Sequence, residues 1–192
     1  MDKKKNKKNI IEVARRIFAF YGFKKATLEE IASASGMGKS SIYYYFASKE
    51  DVLRAVIETE AEIMKNKLLD AISKGSNPIE KFRQYVITRI EVINELTNYY
   101  QVVHSDHLLQ IDFITNMRKS YDQQEVDLLK DIFQEGVNSD LFRIKDSEIA
   151  AIAVTTALKG LEAPIMADKH ENSLNYRTER ILHMLSYGIV KR

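Results

Sequence analysis

The chain has 192 residues, 45% hydrophobic and 29% charged, a globular composition long enough to bury a core without a staple. It has no cysteine, which excludes disulfide scaffolds, thiol nucleophiles, iron–sulfur clusters and thiolate zinc sites, and fits a reducing compartment. The net charge of +2 is uneven: residues 1–54 hold 12 Lys/Arg against 6 Asp/Glu, and residues 55–192 hold 17 against 21.

Only 7 glycines and 2 prolines occur, so the chain turns seldom and reads as all-α. Five of the positive charges lie at Lys3, Lys4, Lys5, Lys7 and Lys8, either a solubilising tail or a patch for a polyanion. A first helix follows, with Ile10, Val13, Ala14, Ile17 and Phe18 on one stripe and Gly22 at its end. Thr27-Leu-Glu-Glu30 is a capping box that opens a helix of about eight residues carrying Leu28, Ile31 and Ala32. After Ser35-Gly36-Met37-Gly38, a second helix of about eight residues carries Ile42, Tyr45 and Phe46. Ser48-Lys-Glu-Asp51 caps a longer helix reaching about Ala71.

Asn77-Pro-Ile-Glu80 then starts a long helix toward Gln101. Two more are expected at about 106–121 and 123–138, the second capped by Asp122-Gln-Gln-Glu125. Asp146 and Asn172 or Ser173 are candidate N-caps for apolar helices at roughly 147–163 and 174–190. No alternating strand pattern is present, and the most apolar stretch, Ile149 to Val154, is far short of the ~20 residues of a membrane span. The amino terminus is too charged for a secretory core. A cytoplasmic protein is expected.

The segment Thr27–Leu53 carries the functional signal. Isolated helices shorter than about 12 residues are marginal in water, so this pair must pack on each other and on its neighbours. Small Ala32 at the crossing and Gly36 in the turn give a helix-turn-helix. With Ile42, Tyr45 and Phe46 inward, the second helix presents Lys39, Ser40, Tyr43 and Tyr44 outward. A cation, a hydroxyl and two phenols suit phosphate oxygens and base edges in a major groove. Lys49 and Thr27 flank them at helix starts that favour anions. The same tyrosines could equally be core.

The run Thr27-Leu-Glu-Glu-Ile-Ala-Ser-Ala-Ser-Gly-Met-Gly-Lys-Ser-Ser-Ile-Tyr-Tyr-Tyr-Phe-Ala-Ser-Lys-Glu-Asp-Val-Leu53 resembles the DNA-binding signature of the TetR family of bacterial repressors. Ile42-Tyr43-Tyr44-Tyr45-Phe46 followed by Ser48-Lys49-Glu50-Asp51 is the most diagnostic part, and Ala14, Phe18, Gly22-Phe23 and Ala26 match the first helix. A Phe133-Gln-Glu-Gly136 and Leu141-Phe142-Arg143 stretch also resembles a common late segment. The resemblance implies a homodimer that binds operator DNA through a domain at 1–54, of which 1–8 is a basic tail. A domain at 55–192 would then bind a small, mostly apolar effector and dimerise. Thr27, Lys39, Ser40, Tyr43, Tyr44 and Lys49 would contact DNA. Gly38 departs from the family's usual Ser or Thr and removes a side-chain cap.

In the remainder, Phe82, Arg89, Ile93, Tyr100, His104, His107, Phe113, Met117 and Tyr121 are candidate effector contacts, a mixed aromatic and polar set. Arg89 interrupts an apolar stripe, so it must pair, reach water by a rotation that turns Ile90 inward, or meet an anionic ligand. Ile149, Ala153, Ala157, Gly160, Leu161, Ile181 and Leu185 are candidate dimer contacts, with Ala153, Ala157 and Gly160 small enough for close helix approach. A helical-bundle metalloenzyme is the rival, but His104 and His107 lack a glutamate three residues before them. A DNA-binding protein of purely architectural role would not need the residues after 54. No enzyme activity, metal or cofactor is expected, and no membrane partner.

Overall fold

The computed structural model describes residues 3–96, 98, 99, 101, 112–167 and 171–190; within these, the side chains of 94, 113, 118, 163–167, 171–175 and 177 are outside the description. The helices are α1 (Lys3–Tyr21), α2 (Leu28–Ala34), α3 (Lys39–Tyr43), α4 (Lys49–Ser73), α5 (Pro78–Glu95), α6 (Asp112–Asn138), α7 (Ser147–Ala167) and α8 (Glu171–Ile189). Among the described residues there is no strand, only an isolated bridge between Phe142 and Val190.

The caps explain most of the boundaries. The Glu30 amide donates to Thr27 Oγ1 at 3.2 Å and the Thr27 amide donates to Glu30 Oε2 at 2.8 Å, the full box at the head of α2. Ser48 Oγ accepts from the Asp51 amide, and Asp146 Oδ1 from the amides of Glu148 and Ile149. At α5 the box is shifted by one residue: Asn77 Oδ1 caps the Glu80 amide, but Glu80 reaches back to the amide and hydroxyl of Ser76.

Four expectations need correction. The short helices have seven and five residues rather than about eight. α5 ends at Glu95, because the backbone at Leu96 is not helical. Asp122 starts no helix: α6 runs unbroken through it, because Asp122 pairs with Lys159 at 2.5 Å and Glu125 is held by Arg89, so neither carboxylate turns back to cap. α8 begins at Glu171, which puts Asn172 and Ser173 inside its first turn.

The chain forms two compact units, residues 1–63 with 96–114, and residues 64–95 with 115–192; the 1–54 division drawn from the motif ends inside α4. In the first unit Ile10, Phe18, Ile31, Ile42, Leu53 and Ile57 are wholly buried. Burying one such side chain is worth about 1.5–3 kcal/mol, so Ile31 and Ile42 hold helices too short to persist by themselves. Beneath them Glu60 is a buried carboxylate that accepts from Arg15 Nε at 2.8 Å, Asn98 Nδ2 at 2.7 Å and the Tyr99 amide at 2.7 Å.

In the second unit α5 packs against α7 and α8, with Phe82 and Phe133 rings 5.3 Å apart in the core. The chain leaves α6 through Asp140, whose φ of 56° is left-handed, and Phe142 folds back over Gly136. A Cβ at position 136 would overlap the Phe142 ring, so only glycine lets the chain return there. That return accounts for the Phe133–Gly136 and Leu141–Arg143 pattern. The Leu141 and Phe142 amides both donate to the Gly136 carbonyl, and the Arg143 amide donates to Ile189.

Candidate nucleic-acid interface

Gly36 turns the chain between α2 and α3 with φ of 70°, and the Met37 amide closes the turn on the Ala32 carbonyl at 2.9 Å. Gly38 occupies the N-cap of α3 with extended backbone and no side-chain cap, as its composition requires. α3 then divides by face. Ile42 and, just beyond the helix, Phe46 are buried, whereas Lys39, Ser40, Tyr43 and Tyr44 are exposed, Tyr44 to 67%. Tyr45 lies between, half-buried, and its hydroxyl accepts from Asn6 Nδ2 at 3.1 Å. The outward set is therefore brought together on one side of one helix.

Its electrostatics are less simple than the sequence implies. Lys39 Nζ lies 2.6 Å from Glu29 Oε1 on α2; this hydrogen bond holds the Glu29 carboxyl below its ordinary value and the Lys39 ammonium above. The Lys39 cation is available to an anion only by exchange with, or sharing by, Glu29. Lys3 Nζ sits 4.5 Å from the centre of the Tyr44 ring and Lys7 Nζ 5.3 Å from that of Phe46.

Thr27 is exposed, but its hydroxyl is engaged in the capping box. Lys49 is placed differently from the outward set. Its ammonium donates to the carbonyls of Phe23 at 2.8 Å and Ala26 at 3.0 Å and lies 4.4 Å from the centre of the Phe23 ring. It pins the loop between α1 and α2 to the start of α4. A lysine one residue after a serine N-cap gives no signal of this in the sequence, because the carbonyls it meets are more than twenty residues away.

The second unit holds the other candidates. Phe82 and Ile93 are core side chains, and Met117 and Tyr121 are half-buried. Tyr100, His104 and His107 lie outside the described residues, as does the side chain of Phe113. Arg89 is not at an edge: it and Ile90 are both buried, because the guanidinium is satisfied from two helices. Arg89 Nε donates to Glu125 Oε1 on α6 at 2.6 Å, Nη2 donates to Glu162 on α7, and Tyr85 donates to the same Glu125 oxygen at 2.7 Å. Burial pushes the Glu125 carboxyl up, but Arg89 and the Tyr85 hydroxyl outweigh it and leave the group below its ordinary value. Burial likewise opposes the Arg89 charge, yet Glu125 and Glu162 hold it firmly protonated. Neither glutamate was visible as Arg89's partner in the sequence, since each is more than 30 residues away.

Of the candidate dimer contacts, Ile149, Ala153, Ala157 and Gly160 are exposed on α7, and Leu161, Ile181 and Leu185 are half-buried. The exposed set also includes Ile152 on α7 and Tyr176, Met184 and Tyr187 on α8. Those on α8 were missed because a stripe search selects the aliphatic residues that turn toward the core. Among the described residues no group of three metal-ligating side chains occurs and no helix is long and apolar enough to cross a membrane.

Residues 10–56 match the family model described as bacterial regulatory proteins, tetR family. The HTH-type transcriptional repressor KstR2 of Mycolicibacterium smegmatis is 27% identical over 140 residues, which is 70% of this chain and 66%, just under two thirds, of that protein. The crystal structure of a transcriptional regulator from Cytophaga hutchinsonii superposes with a TM-score of 0.79 at 26% identity, covering 95% of this chain and 97% of that one. AibR, solved in complex with isovaleryl coenzyme A and operator DNA, shares the fold with a TM-score of 0.67 at 19% identity, covering 95% of this chain and 97% of its own.

Proposed function

We propose that the chain is a member of the TetR family of bacterial regulatory proteins, whose family model its residues 10–56 match, and that it is a sequence-specific transcriptional repressor, homodimeric, released from operator DNA by a small, mostly apolar effector. The observation that carries the reading is the two-sided α3, with Ile42 wholly buried and Lys39, Ser40, Tyr43 and Tyr44 in water at the end of a turn built by Gly36. Tyr43, Ser40 and Lys39 meet base edges and adjoining phosphates, and Tyr44 and Thr27 meet the backbone. Lys49 acts from behind, by fixing the loop that leads into α2, and its own ammonium is turned to carbonyls. The reading assigns no catalysis and places the protein with its DNA in the cytoplasm.

The dimer is supported by the apolar residues that α7 and α8 leave in water, among them Ile149, Ile152, Tyr176 and Met184. Several large apolar side chains left in water on two helices suit a contact with a second copy of the chain, and a two-fold pair would match a palindromic site. The effector is supported by the likeness to AibR, whose complex holds both an acyl coenzyme A and operator DNA. α4 is the physical connection for release, since it runs unbroken from Lys49 in the first unit to Ser73 in the second. Coupling is reciprocal: an effector that weakens DNA binding tenfold is itself weakened tenfold by DNA, about 1.4 kcal/mol.

The test is selection of duplexes from a random pool by the full-length protein. The expected result is an inverted repeat whose half-site centres lie about 34 Å, or a small multiple, apart. Enrichment of no common sequence overturns the reading.

A further inference from the structure

The five lysines at the start of the chain are not a loose tail. Residues 3–8 form the first turns of α1, and the first acidic residue in that helix is Glu12. Electrostatics disfavours this conformation. The helix amino terminus is the positive end of the macrodipole, and Lys3 with Lys7, and Lys4 with Lys8, are like charges at i, i+4. A solubilising segment gains nothing by being helical here and would repel itself less if extended.

What holds it is a set of contacts to the helix-turn-helix. Asn6 Nδ2 donates to the Tyr45 hydroxyl at 3.1 Å, and Asn9 Nδ2 donates to the Ser35 carbonyl at 3.2 Å. Lys3 and Lys7 lie over the rings of Tyr44 and Phe46, at the carboxyl end of α3. Ile10, wholly buried, anchors the next turn. The result is a basic ridge continuous with the exposed face of α3, with Lys3, Lys4, Lys5, Lys7 and Lys8 all exposed.

We propose that this ridge is a second DNA-contacting element, a clamp on the phosphate backbone beside the groove that α3 enters. The proposal rests on the DNA-binding reading above and extends it to residues to which that reading gives no role. Phosphate oxygens neutralise the mutual repulsion of the lysines and the dipole together, so the ridge is more stable on DNA than off it. Because it touches phosphates and no base edge, it adds affinity without sequence preference. Tyr44 meets both elements: its ring centre lies 4.5 Å from the Lys3 ammonium and 5.1 Å from the centre of the Tyr45 ring, which it meets edge-on.

The experiment compares the full-length wild type with a variant carrying Lys→Gln at 3, 4, 5, 7 and 8, on a duplex enriched by the wild type, across a salt series. At two phosphates per subunit and four per dimer, the log–log salt slope becomes shallower by about 4. Affinity near physiological salt falls at least about tenfold, and the ratio of enriched to scrambled duplex stays constant. Asn6→Ala keeps every charge but unseats the ridge, and gives a smaller loss in the same direction. Circular dichroism of both variants confirms retained helix. An unchanged slope in the quintuple variant while the wild type binds its duplex overturns the clamp alone; failure of the wild type to enrich any duplex overturns the DNA-binding reading and the clamp with it. A changed sequence ratio in a folded variant also overturns the clamp, since it would mean base contact.

Discussion

The exposed side of α3 and the outer positions of α7 and α8 both leave tyrosines in water, with different neighbours. Tyr43 and Tyr44 stand among Lys39, Ser40 and Lys3, so each phenol lies next to a cation or hydroxyl. Tyr176 and Tyr187 also have polar neighbours, with Arg180 5.6 Å from the centre of the Tyr176 ring and the His183 ring 6.3 Å from that of Tyr187, but they share their helix with Met184, also exposed, and α7 adds Ile149 and Ile152. A tyrosine offers an apolar ring and a polar tip. On the proposed function the first setting would use the tip, for phosphates and base edges, and the second the ring, for another apolar surface. The residue type does not choose the partner, its neighbours do.

The comparison holds only if each face can be altered without unfolding its unit, and the buried Arg89 cluster sets the scale of an unfolding effect. Arg89→Met leaves the buried Glu162 and the largely covered Glu125 without their guanidinium and should cost about 3–5 kcal/mol in denaturant unfolding. The pH dependence should also change sign. In the wild type the Glu125 carboxyl lies below its ordinary value. Its stabilisation is therefore present above the unfolded value of about 4.3 and is lost as pH falls through the folded value. In Arg89→Met burial acts on the Glu125 carboxyl without the guanidinium that opposes it and raises the group instead, so stability should increase on acidification. A wild-type-like acid profile in the variant would refute this account of the cluster.

The next largest effect falls on the apolar face. Ala157→Arg should separate the subunits and reduce operator affinity by at least about thirtyfold, the ~2 kcal/mol of an interface hot spot, while circular dichroism remains helical. Sedimentation of the wild type as a monomer at micromolar concentration would remove that face from the comparison. On the other face, Tyr43→Ala should lose about 1–3 kcal/mol of discrimination at one base position, read as a relaxed consensus in duplex selection. Tyr44→Ala should instead weaken all duplexes alike.

Two smaller changes sharpen the picture of α3. Glu29→Gln frees Lys39 from its exposed ion pair, and should tighten binding modestly, by no more than about fivefold. Titration by fluorescence anisotropy reads this, and a weaker complex would mean that Glu29 orients Lys39 rather than competing for it. Gly38→Ser restores the missing N-cap and should raise the melting temperature slightly, by the few tenths of a kcal/mol that separate the two residues at that position.

The sequence by itself determined the local features: the all-α class, the capping boxes at Thr27 and Ser48, the turn at Gly36 and the inward Ile42 with outward Tyr43. Each depends on residues within about one helical turn, or on a period that the chain displays directly. The same local logic failed at Asp122-Gln-Gln-Glu125, a capping signal overridden because Lys159 and Arg89 draw its carboxylates toward other helices. Only the tertiary structure decided that Arg89 is buried between Glu125 and Glu162, that Lys49 faces carbonyls of a distant loop, and that the leading lysines are seated on Tyr44 and Phe46. In all three the partner is more than twenty residues away, and for Arg89 and Lys49 the physical reason is the same. A charge that leaves water needs a specific partner, and a partner more than twenty residues away is supplied by the packing of helices rather than by the spacing along one of them.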